Sequence, residues 1–384
     1  MTAPLSTTAA PARPARVRAA GGRPRERLPR AALLLPAGVA MLAGLDAGLL
    51  LLGVPAPVTT ARLPEVHGVL MVLGFVGTVI ALERAVALRR PVGFLAPALL
   101  GAGGLLVLTP LPLRAGQGLL AAGAAALVAV YAALWRRQRD ESVLVQALGA
   151  VAGTGAALVW LGGLPVPLLL PWLVGFVVLT IGGERLELAR IAMGPRAGQI
   201  LVLLAGGLVA AMVVALLWPG PGLPLFGVAL LALSGWLAGH DVARRTIRAT
   251  GLPRFAAGCM LAGYFWLGVA GVIWVIGGPA LSGARYDAVI HAVFLGFTIS
   301  MIMAHAPSIL PAVLRVRLPY SPLMIAPAAL LHATLLLRVL GGDAYGSRGA
   351  WQAGGVGNEI ALLLFVLVAA WSGLTAARAP KAAR

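Results

Sequence analysis

The residues of this 384-residue chain with chemistry to offer lie inside long apolar stretches, and their spacing repeats. Glu83-Arg84 follows Gly74-Phe75-Val76, with the glutamate nine residues after the glycine. Glu184-Arg185 stands at the same offset from Gly175-Phe176-Val177, and His305 at that offset from Gly296-Phe297-Thr298. Arg89 and Arg190 are equivalent again. Glycine and valine are abundant here, but phenylalanine has only nine copies, and three of them fall at matching places. This favours a genuine internal repeat over chance.

Two chemistries are open to these residues. An ionisable side chain within lipid is costly and marks a candidate site. His67, His291 and His332 are expected at a common level in the outer half of the membrane, with Asp46, Asp287, Arg338 and Glu359 near it. Neutral imidazole tolerates burial and ligates metals and haem iron. Two imidazoles from facing helices would hold a b-type haem on both axial sides, and Arg338 would pair with its propionates. Three imidazoles would instead suit copper. No HxxxH, HxxEH or CxxCH pattern occurs, so the signal lies in depth alone. The plainer role of any one histidine is a hydrogen-bonded helix contact. His240 and His305 are expected at inner helix ends. Glu83 and Glu184 suit either an ion-pair network binding the repeats together or a carboxylate gate for protons or ions. With Asp46 they would form the coupling path of a secondary transporter. Met301 and Met303 read as core or as lining of a haem face, and no nucleotide loop, nucleophile elbow or catalytic dyad occurs.

The elements that position these groups follow from composition. Apolar residues make up 60% and charged residues 11%, in runs of about twenty, which defines an integral membrane protein. Lipid offers the backbone no partners, and unalternating runs of this length must be helices. Twelve spans are predicted, near 31–53, 64–83, 92–112, 116–135, 142–163, 165–184, 197–218, 221–239, 255–277, 286–306, 320–340 and 356–376. The expected fold is an all-α, polytopic membrane bundle of three four-helix pseudo-repeats, one domain over 31–376. A disordered basic tail over 1–30 and a short tail over 377–384 would flank it. With a cytoplasmic N-terminus, 25 of the 30 Lys and Arg residues fall on the inner side. Arg62, Arg114, Arg285, Arg338 and Arg348 remain outside, so both termini are expected in the cytoplasm, with the chain in a cell inner membrane. The +18 net charge is thus spread over loops at one membrane face, and a nucleic-acid partner is not expected; the basic tail suits fixing topology or binding anionic lipid headgroups. Cys259 is the single cysteine, which excludes an intramolecular disulfide and a thiolate cluster. No removable signal peptide is expected.

Three stretches carry a family resemblance. His67-Gly68-Val69-Leu70-Met71 through Gly74-Phe75 resembles the histidine-bearing second helix of NnrS-type membrane proteins, and more distantly that of haem–copper oxidase subunit I. Thr180-Ile181-Gly182-Gly183-Glu184-Arg185 is similar to the sixth-helix "IGGR" segment of NnrS proteins. Ile290-His291-Ala292, with Gly296, Met301 and Met303, resembles a further NnrS helix. The resemblance covers helices two, six and ten, under a quarter of the chain. It implies twelve helices, an association with haem and copper, and a role in nitric oxide response or electron transfer with an unspecified redox partner. It places His67 and His291 as low-spin haem ligands and leaves His332 as a distal or copper ligand. The chain departs from the pattern at the start of helix two, where Glu65 and a single His67 replace a HxHE-like cluster. It also lacks the copper-site histidines and the tyrosine of true oxidases, so a terminal oxidase is not expected.

Overall fold

The computed structural model describes residues 30–378, and every regular element among them is helical. The expected tails therefore lie outside the described residues, apart from Arg30, Ala377 and Arg378. The helices are α1 Leu34–Leu52, α2 Arg62–Leu88, α3 Pro91–Leu106, α4 Leu113–Arg137, α5 Glu141–Leu161 and α6 Val166–Met193. They continue as α7 Ala197–Leu217, α8 Pro219–His240, α9 Gly251–Gly277, α10 Gly283–Leu314, α11 Pro322–Ala344 and α12 Arg348–Arg378. Eleven of these are long and apolar enough to cross a membrane. The exception is α3, which ends early, ahead of the Pro110-Leu111-Pro112 turn. The chain is thus a multi-pass membrane protein.

Helix ends follow local rules. Asp140 caps α5 by accepting from the Ser142 backbone N–H at 2.9 Å. Gly53 closes α1 in the left-handed conformation that glycine adopts without strain. Arg89 and Arg315 end α2 and α10 in the same region, where a non-glycine residue is uncommon.

The helices are not equally enclosed. Of the most apolar window of each long helix, 78% is buried in α6 and 67% in both α2 and α10, against 50% or less in all others. These are the three helices bearing the Gly-Phe signatures, and they are the most enclosed of the bundle. Close approach at the centre needs small residues. A Cβ on Gly74 would lie 3.4 Å from the Gly104 Cα, and one on Gly149 would lie 2.9 Å from the Thr180 backbone nitrogen. Outward faces carry Leu203, Ile276, Leu367 and Trp371.

Three helices widen into π geometry. Leu70–Gly77 in α2, Ala292–Ile299 in α10 and Leu337–Ala344 in α11 are π-helical, each a widened turn of eight residues. The first two occupy matching positions relative to Gly74 and Gly296. Thr78 and Ser300 also match, donating to the carbonyls of those two glycines at 2.7 and 2.6 Å.

Candidate cavity site

A cavity of about 820 Å³ opens among α1, α2, α6, α10, α11 and α12. That is the size of a pocket for a sizeable organic ligand. All three π-helical stretches contribute to its wall, through Val72 and Val76, Phe294 and Thr298, and Arg338 and Asp343. Most of the lining is apolar, with Leu51, Leu52, Leu170 and Leu173 among it. Its polar groups include His67, His291, Asp287, Asp343, Arg338 and Glu359, with Glu65 and Arg348 also in the lining.

Both histidines are held by the same device. His67 Nδ1 lies 2.8 Å from the Gly44 carbonyl oxygen, and His291 Nδ1 lies 2.8 Å from that of Asp287. A carbonyl only accepts, so each Nδ1 must carry the proton. In the neutral ring Nε2 is then left with its lone pair, and neither Nε2 has a protein partner among the described residues. A backbone-bound Nδ1 with a bare Nε2 is the arrangement that orients a metal-ligating histidine.

Asp287 organises one end of the cavity. It accepts from Arg338 Nε at 2.8 Å, Arg338 Nη2 at 2.7 Å and Trp351 Nε1 at 3.1 Å. Its carboxylate also lies 3.4 Å from His291 Nδ1, and Asp343 stands beside it. The Arg338 guanidinium is 5.4 Å from the Trp351 ring centroid, a cation–π arrangement. Arg338 is therefore committed to Asp287, and the expected role as a propionate partner falls at most to Nη1. Glu359 reaches in beside Gly48, where a Cβ would lie 2.6 Å from Glu359 Oε1 and 3.7 Å from His67 Cε1.

His332 does not join the other two histidines and does not line the cavity. Its Nδ1 accepts from Trp266 Nε1 at 3.1 Å, and Nε2 lies 3.4 Å from Ser300 Oγ. Its lone pair is already used, so the expected three-imidazole copper set is not assembled. Among the described residues no three His, Cys, Asp or Glu side chains form a metal-holding group. His240 lies apart, stacked on Trp236. Asp46 is separate as well: it accepts from the Val58 N–H at 3.1 Å and ties down the loop after α1.

The other polar cluster lies at the opposite, arginine-rich end of the central helices. Arg84 pairs with Glu83 and, at 3.1 Å, with Glu187. Arg185 grips Asp241 through Nε at 2.8 Å and Nη2 at 3.0 Å, and its Nη1 reaches His305 Nε2 at 3.0 Å. Tyr264 Oη adds a 2.7 Å bond to Asp241. The repeat-equivalent positions Glu83, Glu184 and His305 thus meet in one region.

Asp343, Trp351 and the hub role of Asp287 escape a reading of the sequence. Asp343 falls just beyond the predicted span 320–340, where it reads as a loop residue. The π turn extends α11 and carries it back into the wall.

The chain belongs to the family described as domain of unknown function DUF8744, whose model matches residues 30–374. The match takes in every helix from α1 to α11 and most of α12. No curated protein matches the chain.

Proposed function

We propose that this protein is a haem-binding membrane protein in which His67 and His291, both lining the outer cavity, would hold the iron. The observation that carries this reading is the matched pair of histidines. Each is fixed through Nδ1 to a backbone carbonyl, and each is left with an unpartnered Nε2 at one apolar-walled cavity. Burying two such rings without a partner costs free energy that a shared ligand would recover. A bound b-type haem would supply one-electron chemistry or a site for a small gas such as nitric oxide. The chain's own residues orient the imidazoles, wall off lipid and place Arg338, Asp287 and Glu359 at the polar margin.

The wider reading is that α3 completes twelve spans as the third, giving three four-helix repeats with both termini in the cytoplasm. The enclosure of α2, α6 and α10 and the matching π turns of α2 and α10 support it. It accords with the resemblance to NnrS-type proteins. The transporter reading has less support, because Asp46 stands off the cavity while Glu83 and Glu184 lie at the far end of the bundle.

The test is a visible absorption spectrum of protein purified from haem-sufficient cells. A Soret band is expected, with a six-coordinate reduced spectrum. His67→Ala and His291→Ala should each remove or restructure it, while His240→Ala and His332→Ala leave it intact. Folded protein without Soret absorbance overturns the assignment.

A further inference from the structure

We propose that Glu83 and Glu184 share a single exchangeable proton at the arginine-rich end of the central helices. This site is separate from the outer cavity and does not depend on what that cavity holds.

The argument is a charge count fixed by hydrogen-bond geometry. Three carboxylates meet here: Asp241, just after α8, is fully enclosed, while Glu83 from α2 and Glu184 from α6 are half-buried. Glu187 also belongs to the cluster, but its side chain is 45% exposed and partly screened by solvent. The cations are Arg84 and Arg185. Arg185 is spent on Asp241 by a two-point contact. Arg84 is engaged with Glu83 and Glu187. Glu184 has neither a hydrogen bond nor an ion pair among the described residues, although Glu83 and Arg84 lie close to it.

His305 supplies no charge. Its Nε2 lies 3.0 Å from Arg185 Nη1, and a guanidinium only donates, so Nε2 is an acceptor. Its Nδ1 lies 2.7 Å from the Met301 carbonyl and so carries the only ring proton. The imidazole is neutral. One half-buried carboxylate is therefore left without a counter-charge, in surroundings that favour its holding a proton. Arg84 stands by both glutamates, so whichever it pairs with, the other bears the proton.

A second observation points to exchange. Tyr131 and Gln146 are both 0% exposed, and both leave a polar atom without a partner. Tyr131 Oη, on α4, lies within electrostatic reach of Arg84, Glu83, Glu184 and Glu187. Gln146, on α5, donates through Nε2 to Glu187 at 3.0 Å while its Oε1 is bare. A hydroxyl lacking an acceptor and an amide oxygen lacking a donor beside the same glutamates are completed by ordered water. Such water gives the proton a way to leave for the arginine-rich face and to return from it.

The test is infrared spectroscopy of the purified full-length protein in H₂O and D₂O at neutral pH. The wild type should show a deuterium-sensitive C=O band of a protonated carboxyl, and the wild type minus Glu184→Gln difference should isolate one such group. Glu83→Gln should lose the same band, because Arg84 then pairs with Glu184. Arg84→Gln should gain a second. A wild type with no such band, or a Glu184→Gln protein with an unchanged carboxyl region, overturns the proposal. Should Glu184→Gln fail to fold, the wild-type band and its loss in Glu83→Gln decide the matter.

Discussion

Asp241→Ala is the most demanding single test of the packing at the arginine-rich end. The Asp241 side chain is 0% exposed and that of its partner Arg185 is 5% exposed. Truncation leaves the Arg185 guanidinium enclosed without a counter-charge. It also strips the acceptor from Tyr264 Oη and from the Ala243 backbone N–H, which sits 2.8 Å away. Removing one partner of a buried ion pair costs about 3–5 kcal/mol, and the bereaved hydroxyl and amide add to it. The folding equilibrium should shift by about two to four orders of magnitude. Reversible denaturation in detergent micelles reads this directly. Tyr264→Phe, which removes one bond to a charged group, should cost about 1.5–3 kcal/mol. Arg185→Leu combined with Asp241→Ala should cost less than the two single changes added together, because the double change leaves no unpaired charge. If Asp241→Ala alone lies within about 0.5 kcal/mol of wild type, as an ordinary surface change would, the enclosed-pair reasoning is wrong.

Other outcomes follow from separate features. At the surface, burial opposes ionisation of Asp140, but bonds from Ser142 and Arg190 outweigh it and hold its carboxyl below the ordinary range. Its stabilising effect should be full above the usual carboxylate value and fade as pH falls through the depressed one; Asp140→Ala should flatten that acid limb of the melting profile and cost about 1 kcal/mol at neutral pH. Trp266→Phe should weaken the α9–α11 contact by removing the donor to His332, while any haem spectrum stays as in wild type. Reporter fusions after Arg114 and Arg348 should read outside and those after Arg139 and Arg248 inside, and one reversal would break the twelve-span reading.

Most helices were legible because lipid demands long apolar runs, and their breaks carry Pro, Gly and Arg. The predicted span 142–163 becomes Glu141–Leu161, set by the Asp140 cap. The predicted end near 184 is too early: α6 runs on to Met193 because Arg185, Glu187 and Arg190 find polar partners that extend the helix past the apolar run. The span 92–112 is too long, since Pro110 and Pro112 break the chain ahead of α4. Depth brought His67 and His291 to one cavity, but depth is not direction. His332 sits against Trp266 and against Ser300, which lies nine residues further along α10 than His291, so both its level and its facing differ. The π turns were invisible for a related reason. In α2 and α10, enclosure on most sides leaves no single apolar face whose period would betray a widened turn.

Those turns bear on how the central helices tolerate change in length. A π turn is an α-helix that has taken in an extra residue, and each α-helical residue sets its neighbour about 100° around the axis. In α2 the widened turn falls between His67 and Glu83; in α10 it falls between His291 and His305. The two ends of each helix are therefore phased independently. Deleting one residue within Leu70–Gly77 would let the helix relax to ordinary winding and leave both ends facing their present neighbours. The same deletion a turn further along, in Thr78–Leu88, has no slack to draw on and would swing everything beyond it out of register.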